Sequence, residues 1–485
     1  MGIVFKQSAK NLITTYLGFG IGAINTLFLY TNFLQQEYYG LVSFLLSAAN
    51  LIWPLVAFGV HNTLVKFYSS YDTKEEKDKL LSMILFLPIG ISVFLGAIGI
   101  FAYDLILNYF SEGNALVQPY VWLIFVLALA TAYFEVFFAW SKVNYQSVFG
   151  NVMREVFHRV CISLLLLCVF FDWLTVENFI YGISGVFVLR ALLMMLYAFR
   201  LYFPVLTFSF PNNKISVLKY SALILIAGSV AVALLDLDKV MIEHFLPIEN
   251  VAIYGIAIYI ASVIGVPSRA MHQITYPLTA ILLNKRDKEG LKDLYQKSSI
   301  NLLVISGFIF LLIVTNIRQV YELIPEEYQL SFSIVILISC AKLFDNLMGN
   351  NNSILFNSDY YRLVLIIGVA LAILAFLLNL IFIPALGLFG AALATFLALS
   401  LYNASKIYIV IWKFKIHPFT RQSIYGLICI LLFTAAFYFW DFSFHPVVNI
   451  LLKSVILALL YLPVIYKLKI SADIHLLLEK IIKRN

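Results

Sequence analysis

The run RLVLIIGVALAILAFLLNLIFIPALGLFGAALATFLALSLY, residues 362–402, decides the fold. After Arg362 no charged side chain appears until Lys406. A helix that crosses a bilayer takes about 20 predominantly apolar residues, so the region holds two, over 362–383 and 387–412. The remainder has the same character. Of 485 residues, 62% are hydrophobic and 12% charged, against about 45–50% and about 25% in an ordinary soluble protein. This excludes a soluble multi-domain enzyme, a disordered chain and a single-pass receptor with a large ectodomain. It predicts an all-α, polytopic membrane protein.

Working outward from 362–412, twelve further apolar runs of suitable length bring the expected number of transmembrane helices to fourteen. They lie near 11–33, 39–66, 81–103, 117–140, 151–171, 177–200, 216–245, 249–282, 298–317, 331–356, 422–440 and 447–466. The stretch 468–485 reads as a surface amphipathic helix. Ile470, Ile474, Leu477, Leu478, Ile481 and Ile482 form one face, and Lys469, Lys480, Lys483 and Arg484 flank it.

On this topology 27 of the 33 Lys and Arg residues fall on the side of the N-terminus, Lys142, Arg154, Arg159 and Lys406 among them. The opposite side has Arg318 and, near a helix end, Lys239; its loops are otherwise neutral or acidic, with Glu37, Asp104, Glu112, Asp172 and Asp441. The positive-inside rule then puts both termini in the cytoplasm. Every loop is short, so no soluble catalytic domain is inserted. The sequence also lacks a phosphate-binding G-x-x-x-x-G-K-[ST] loop and the H-E-x-x-H, C-x-x-C and G-x-S-x-G motifs. An enzyme is not expected. The four cysteines, Cys161, Cys168, Cys340 and Cys429, sit in apolar runs without metal-ligand spacing.

An offset of 212 residues aligns FLQQEYYGLV (33–42) with FLPIENVAIY (245–254), and the charged loop DTKEEKDK (72–79) with NKRDKEGL (284–291). The expectation is an N-terminal lobe of six helices over 1–203 and a C-terminal lobe over 204–415. Two extra helices over 416–467 and the tail 468–485 follow. Two parallel repeats with a site between them is a layout of alternating-access transporters.

Charges within spans are costly and normally face a cavity or a partner. Arg190, Arg269, Lys342 and Lys453 fall in spans. Lys342, Asp345, Asn346, Gly349, Asn352 and Ser353 make one polar helical face. Lys342 either contacts an anion from a lumen wall or neutralises Asp345 at i, i+3. Arg269, His272, Gln273 and Tyr276 repeat the spacing, and a guanidinium fork suits phosphate. Arg190 contacts substrate or pairs with Glu135. Asn25 lies on a stripe with Asn11, Thr15, Gly18 and Gly22, and Asn62 follows His61. Both are sugar contacts or helix-packing groups. Asp236 and Asp345 are candidates for a coupling Na+ or H+. An Asp238–Lys239 salt bridge is the plainer reading of that neighbouring pair, and snorkelling accounts for Lys453. No metal or other cofactor is expected.

Three segments carry a family likeness. LLDLDKVMIEHFLPIENVAIYGIAIYIASV (234–263), PEEYQLSFSIVILISCAKLF (325–344) and NLIFIPALGLFGAALATFLA (379–398) resemble the multidrug/oligosaccharidyl-lipid/polysaccharide exporter superfamily. Within it they resemble the O-antigen (Wzx-type) flippases, with Ala252 and Pro325 standing where that family commonly has Gly. The resemblance implies translocation of undecaprenyl-diphosphate-linked oligosaccharide across the bacterial inner membrane. It also implies work beside glycosyltransferases and a polysaccharide polymerase. A monomer without a nucleic-acid partner is expected. A peptidoglycan-precursor lipid flippase and a multidrug or cation antiporter are the alternatives.

Overall fold

A computed structural model describes residues 2–105, 107, 114–329 and 332–482. Among them every regular element is helical. Glu112, Lys483 and Arg484, named above, lie outside the described residues, as do the side chains of Leu477, Ile481 and Ile482.

Helix α1 covers 2–33 and contains a π turn at Asn25–Leu29. It is followed by α2 (Gln36–Ala57), α3 (Val60–Phe67), α4 (Lys74–Phe101) and α5 (Val121–Val143). Then come α6 (148–170, with a π turn at Met153–Phe157), α7 (Val176–Leu201), α8 (Lys214–Phe245) and α9 (Glu249–Ser262). The remainder is α10 (Val266–Asn284), α11 (Lys288–Glu322), α12 (Phe332–Leu347), α13 (Asn351–Phe356) and α14 (Tyr361–Phe414). Helices α15 (Arg421–Tyr438), α16 (Pro446–Lys467) and α17 (Ala472–Ile482) end the chain. Polar loop residues set several starts. The Thr73 hydroxyl accepts from the Glu76 N–H, the Thr175 hydroxyl from Asn178 and the Asp287 carboxylate from Gly290. Each satisfies an N–H that the first turn leaves open.

Ten helices among the described residues are long and apolar enough to span a bilayer. Fourteen spans also require α6, α8 and the α12–α13 pair, and the division of α14 in two. The backbone supplies that division. Gly387 has φ 60° and ψ −139°, a conformation open to glycine and strained for other residues. Pro384, just before it, lacks a helical N–H.

A second break departs from the expectation of one helix over 39–66. Phe58 and Gly59 both have positive φ, 47° and 68°, and separate α2 from α3. A Cβ on Gly59 would lie 2.4 Å from the Ser221 carbonyl oxygen. The glycine therefore lets α8 pass close, and Thr63 of α3 shares a 2.8 Å hydroxyl contact with Ser221 there.

Helix starts recur at nearly the offset of the expected repeat. Those at 36, 74, 121, 148 and 176 recur at 249, 288, 332, 361 and just after Gly387, shifts of 211–214 residues. Packing divides the chain elsewhere, into compact units 1–255 and 256–485. Helix α8, which opens the second repeat, packs on α2 and α3 of the first. The packing boundary at 255 thus differs from the expected repeat boundary near 203.

In the first unit α5 is the central helix, with α2, α3, α4 and α7 against it. Phe134, Phe138 and Trp140 of α5 join Leu80, Ile84 and Met194 in its core. In the second unit α11 is central, packed by α10, α12, α15 and α16. The tail helix α17 is tied to this unit. Ile470 is buried in its core, the Ser471 hydroxyl donates to Asn301 Oδ1 at 2.5 Å, and Asn301 Nδ2 donates to Asp473 at 2.7 Å.

Candidate functional site

In the first unit a group of charges surrounds Glu135 of α5. Glu135, Phe138 and Lys142 follow the i, i+3, i+7 spacing of one helix face. Arg154, within the π turn of α6, forms an ion pair with Glu135. Lys142 Nζ lies 3.9 Å and the Arg154 guanidinium 4.6 Å from the Phe138 ring centre. Arg190 of α7, 5% exposed, is held between Phe134 at 4.3 Å and Phe187 at 4.5 Å. Aromatic faces stabilise such cations by about 0.5–2 kcal/mol each. Glu135 also acts electrostatically on Arg190, Lys142 and His61. Among the described residues Arg190 Nε and His61 Nδ1 are buried with no hydrogen-bond partner.

These positions answer several expectations. Of the two readings of Arg190, substrate contact or pairing with Glu135, the second is met only electrostatically, since the direct ion-pair partner of Glu135 is Arg154. Arg154 and Lys142, assigned to the cytoplasmic charge excess, also belong to the group around Glu135, with Lys142 exposed and the Arg154 side chain 36% exposed. The helix-1 stripe is a seam with α6. Asn25 Nδ2 donates to the Arg159 carbonyl at 2.9 Å, and Ser163 donates to Asn25 Oδ1 at 2.6 Å. A Cβ on Gly18 would meet the Glu155 carbonyl oxygen at 2.5 Å. Asn62 is exposed on α3. Asp236, apart from the Glu135 group, pairs with Lys239 at 3.7 Å and accepts from Asn50 at 3.2 Å. Asp238 accepts from the Tyr254 hydroxyl at 2.8 Å.

The second unit has its own polar group. Asp345 of α12 meets Lys406 of α14, Oδ1 to Nζ 4.0 Å. Lys406 is 2% exposed, donates to Asn352 Oδ1 at 3.0 Å and stacks on the Tyr402 ring at 4.2 Å. Lys406, counted among the basic residues of the cytoplasmic side, is buried within its helix. It lies one helical turn beyond Tyr402 and points inward. His272 lies within electrostatic reach of Asp345 and Lys406. Arg269 and Gln273 are exposed on α10, and Lys342 is half-buried on α12. Asn346 is buried and donates to the Ile264 carbonyl at 2.6 Å, which makes it a structural contact.

Lys453 also departs from expectation. It is fully buried and reaches neither water nor lipid surface. Its Nζ donates to the Thr315 carbonyl at 2.5 Å and to Asp441 at 2.8 Å. Among the described residues no group of three or more His, Cys, Asp or Glu side chains could hold a metal ion.

The two units share an arrangement that the sequence pattern did not suggest. Glu135 and Asp345 are 210 residues apart, and Arg190 and Lys406 are 216 apart, both within about one helical turn of the repeat. Each repeat thus sets a carboxylate on its fourth helix and a buried, aromatic-stacked cation on its sixth. A signal was present in the sequence: an isolated cation in an apolar helix, four or three residues from an aromatic.

A family model described as polysaccharide biosynthesis protein matches residues 5–280. No curated protein matches by sequence. Among solved structures, the lipid II flippase MurJ in an inward closed conformation is similar with TM-score 0.70 and 15% identity, over 96% of this chain and all of that one. An inward-facing multidrug resistance MATE family transporter of the MOP superfamily gives 0.62 and 13%, over 87% and 96%. A MOP superfamily transporter from Pyrococcus furiosus, described as having a binding pocket of reverse polarity that suggests a different function, gives 0.56 and 14%, over 88% and 96%.

Proposed function

The chain belongs to the polysaccharide biosynthesis protein family, and from that premise we propose that it flips undecaprenyl-diphosphate-linked oligosaccharide units from the cytoplasmic to the periplasmic leaflet of the bacterial inner membrane. The observation that carries the reading is the sign of the interior charge. In the first unit three cations, Arg154, Lys142 and Arg190, surround one carboxylate. A diphosphate must shed much of its hydration to pass through a protein interior, and fixed cations offset that cost. The sugars would be met by amide, hydroxyl and aromatic groups, while the prenyl chain stays in lipid.

In this reading Arg190, with Arg154 and Lys142, serves the headgroup in the first unit. Arg269, Lys342 and Lys406 serve it in the second, with His272 and Gln273 beside them. Transport proceeds by alternating access with both termini cytoplasmic. Asp236 or Asp345 carries any coupling Na+ or H+. The glycosyltransferases that build the unit act before it and a polymerase after it.

Similarity of fold to MurJ favours a second substrate of the same chemistry, a peptidoglycan-precursor lipid. A drug or cation antiporter is disfavoured by the interior cations. Deleting the gene should strip surface polysaccharide and leave undecaprenyl-linked units on the cytoplasmic leaflet. Unchanged surface polysaccharide would refute the proposal. Altered drug resistance in a pump-deficient strain would favour the antiporter instead.

A further inference from the structure

The cationic groups are not empty of anion. Glu135 is paired with Arg154 in the first unit, and its side chain retains 14% exposure. Asp345 faces Lys406 in the second, with 45% of its side chain exposed while Lys406 keeps 2%. In the second pair the carboxylate is the more accessible member; in the first Arg154, at 36%, is more exposed than Glu135. In both the cation is held from behind. Phe138 backs Arg154 and Lys142, Phe134 and Phe187 enclose Arg190, and Tyr402 and Asn352 hold Lys406. The cations are therefore positioned without the carboxylate. What the carboxylate adds is charge.

Purely structural neutralisation would match the cations in number. The first unit does not. Around Glu135 stand Arg154, Lys142 and Arg190, one carboxylate against three basic side chains. Glu155 is taken by Arg159 at 3.5 Å. The group is left with two net positive charges. A diphosphate joined to a prenyl chain at one end and a sugar at the other carries two negative charges; a monophosphate joined in the same way carries one.

Resting on the flippase reading above, we propose that Glu135 and Asp345 are resident counter-anions. Each occupies the place of a substrate phosphate oxygen beside its cation and yields that place when the headgroup enters. The net charge left around Glu135 makes the first unit selective for a diphosphate over a monophosphate linkage. The resident carboxylates stop the cations from binding the headgroup so tightly that it cannot leave. Recurrence of a carboxylate on the fourth helix and a buried, aromatic-stacked cation on the sixth helix of each repeat supports this, although the direct partner of Glu135 is Arg154 of the fifth.

The test uses the full chain purified in detergent, with two soluble probes. One is N-acetylglucosamine linked to farnesyl through a diphosphate, the other the same compound linked through a monophosphate. Wild type should bind the diphosphate probe about tenfold tighter than the monophosphate probe. E135Q should tighten the diphosphate probe about tenfold and slow its flipping in proteoliposomes, and R154Q should weaken it by about tenfold or more. E135D keeps the charge and should stay near wild type. D345N tests the second unit by the same gain, which is smaller because Asp345 is more exposed, and it serves if E135Q does not yield folded protein. Binding of neither probe by wild type overturns the flippase reading itself. Binding by wild type, with folded E135Q and D345N no tighter than it, overturns the counter-anions alone. Equal affinity for the two probes overturns the charge match.

Discussion

Replacing Asp441 by Asn should destabilise the second unit more than removing its partner lysine. Lys453 of α16 has no exposed surface, and its ammonium holds two contacts: the Thr315 carbonyl at 2.5 Å and Asp441 Oδ1 at 2.8 Å. Asp441 sits differently. It keeps 29% side-chain exposure, accepts from Gln319 at 2.7 Å and has Arg318 at 3.7 Å. Breaking a buried pair costs about 3–5 kcal/mol because the remaining charge is stranded. D441N strands Lys453, although the amide oxygen can still accept, so about 2–3 kcal/mol is expected. K453M leaves Asp441 with Gln319, Arg318 and solvent, and should cost about 1 kcal/mol. The double variant should lie near K453M, with a coupling of about 2–3 kcal/mol. Thermal unfolding of detergent-solubilised protein, read as loss of the monodisperse peak in fluorescence-detected size exclusion, gives the ranking. If K453M unfolds at or below the temperature of D441N, the buried ammonium is not the costly member and the argument fails.

Other perturbations follow from the same geometry. G40A should lower folded yield sharply, since a Cβ there would lie 2.1 Å from the Ile248 carbonyl oxygen; G20A, with open space around it, is the control in a membrane-expression assay. G387A meets no neighbouring atom but must adopt φ 60°, so a loss of about 1–3 kcal/mol is expected in the same thermal assay. K406M should abolish restoration of surface polysaccharide in a deletion strain at normal expression; full restoration would remove Lys406 from the transport pathway. N301A cuts the ties to Ser471 and Asp473, and limited proteolysis should then remove the tail faster than in wild type.

The fold was legible because bilayer helices obey a coarse rule. Each must be apolar over a fixed length and must satisfy its own backbone, so runs such as 362–402 announce themselves without any knowledge of neighbours. The break at 384–387 was visible for the same reason, as Pro384 and Gly387 act locally. The break at Phe58–Gly59 was not, because Phe58 is an ordinary helical residue. Its left-handed conformation is fixed by α8 pressing on Gly59, a contact between residues some 160 positions apart. Compact units escaped for a similar reason. Repetition is written along the chain, but whether α8 packs on α2 or on its own repeat is a matter of surface fit.

The charged residues divide along the same line. Arg190 declared itself by standing alone in an apolar helix. Lys406 did not, because it lies eight residues from the end of a long helix and could equally have reached the cytoplasmic surface. Arg154 and Lys142 were hidden by the rule that explains most basic residues here: an excess of Lys and Arg near helix ends marks the cytoplasmic side. That rule counts residues and says nothing of where each side chain points. Arg154 lies within the π turn of α6 and pairs with Glu135 of α5, a contact the linear sequence does not reveal. A cation at a helix end can thus serve topology during insertion and a buried anion site afterwards. Subtracting topological charge before searching for the site removes some of the residues that form it.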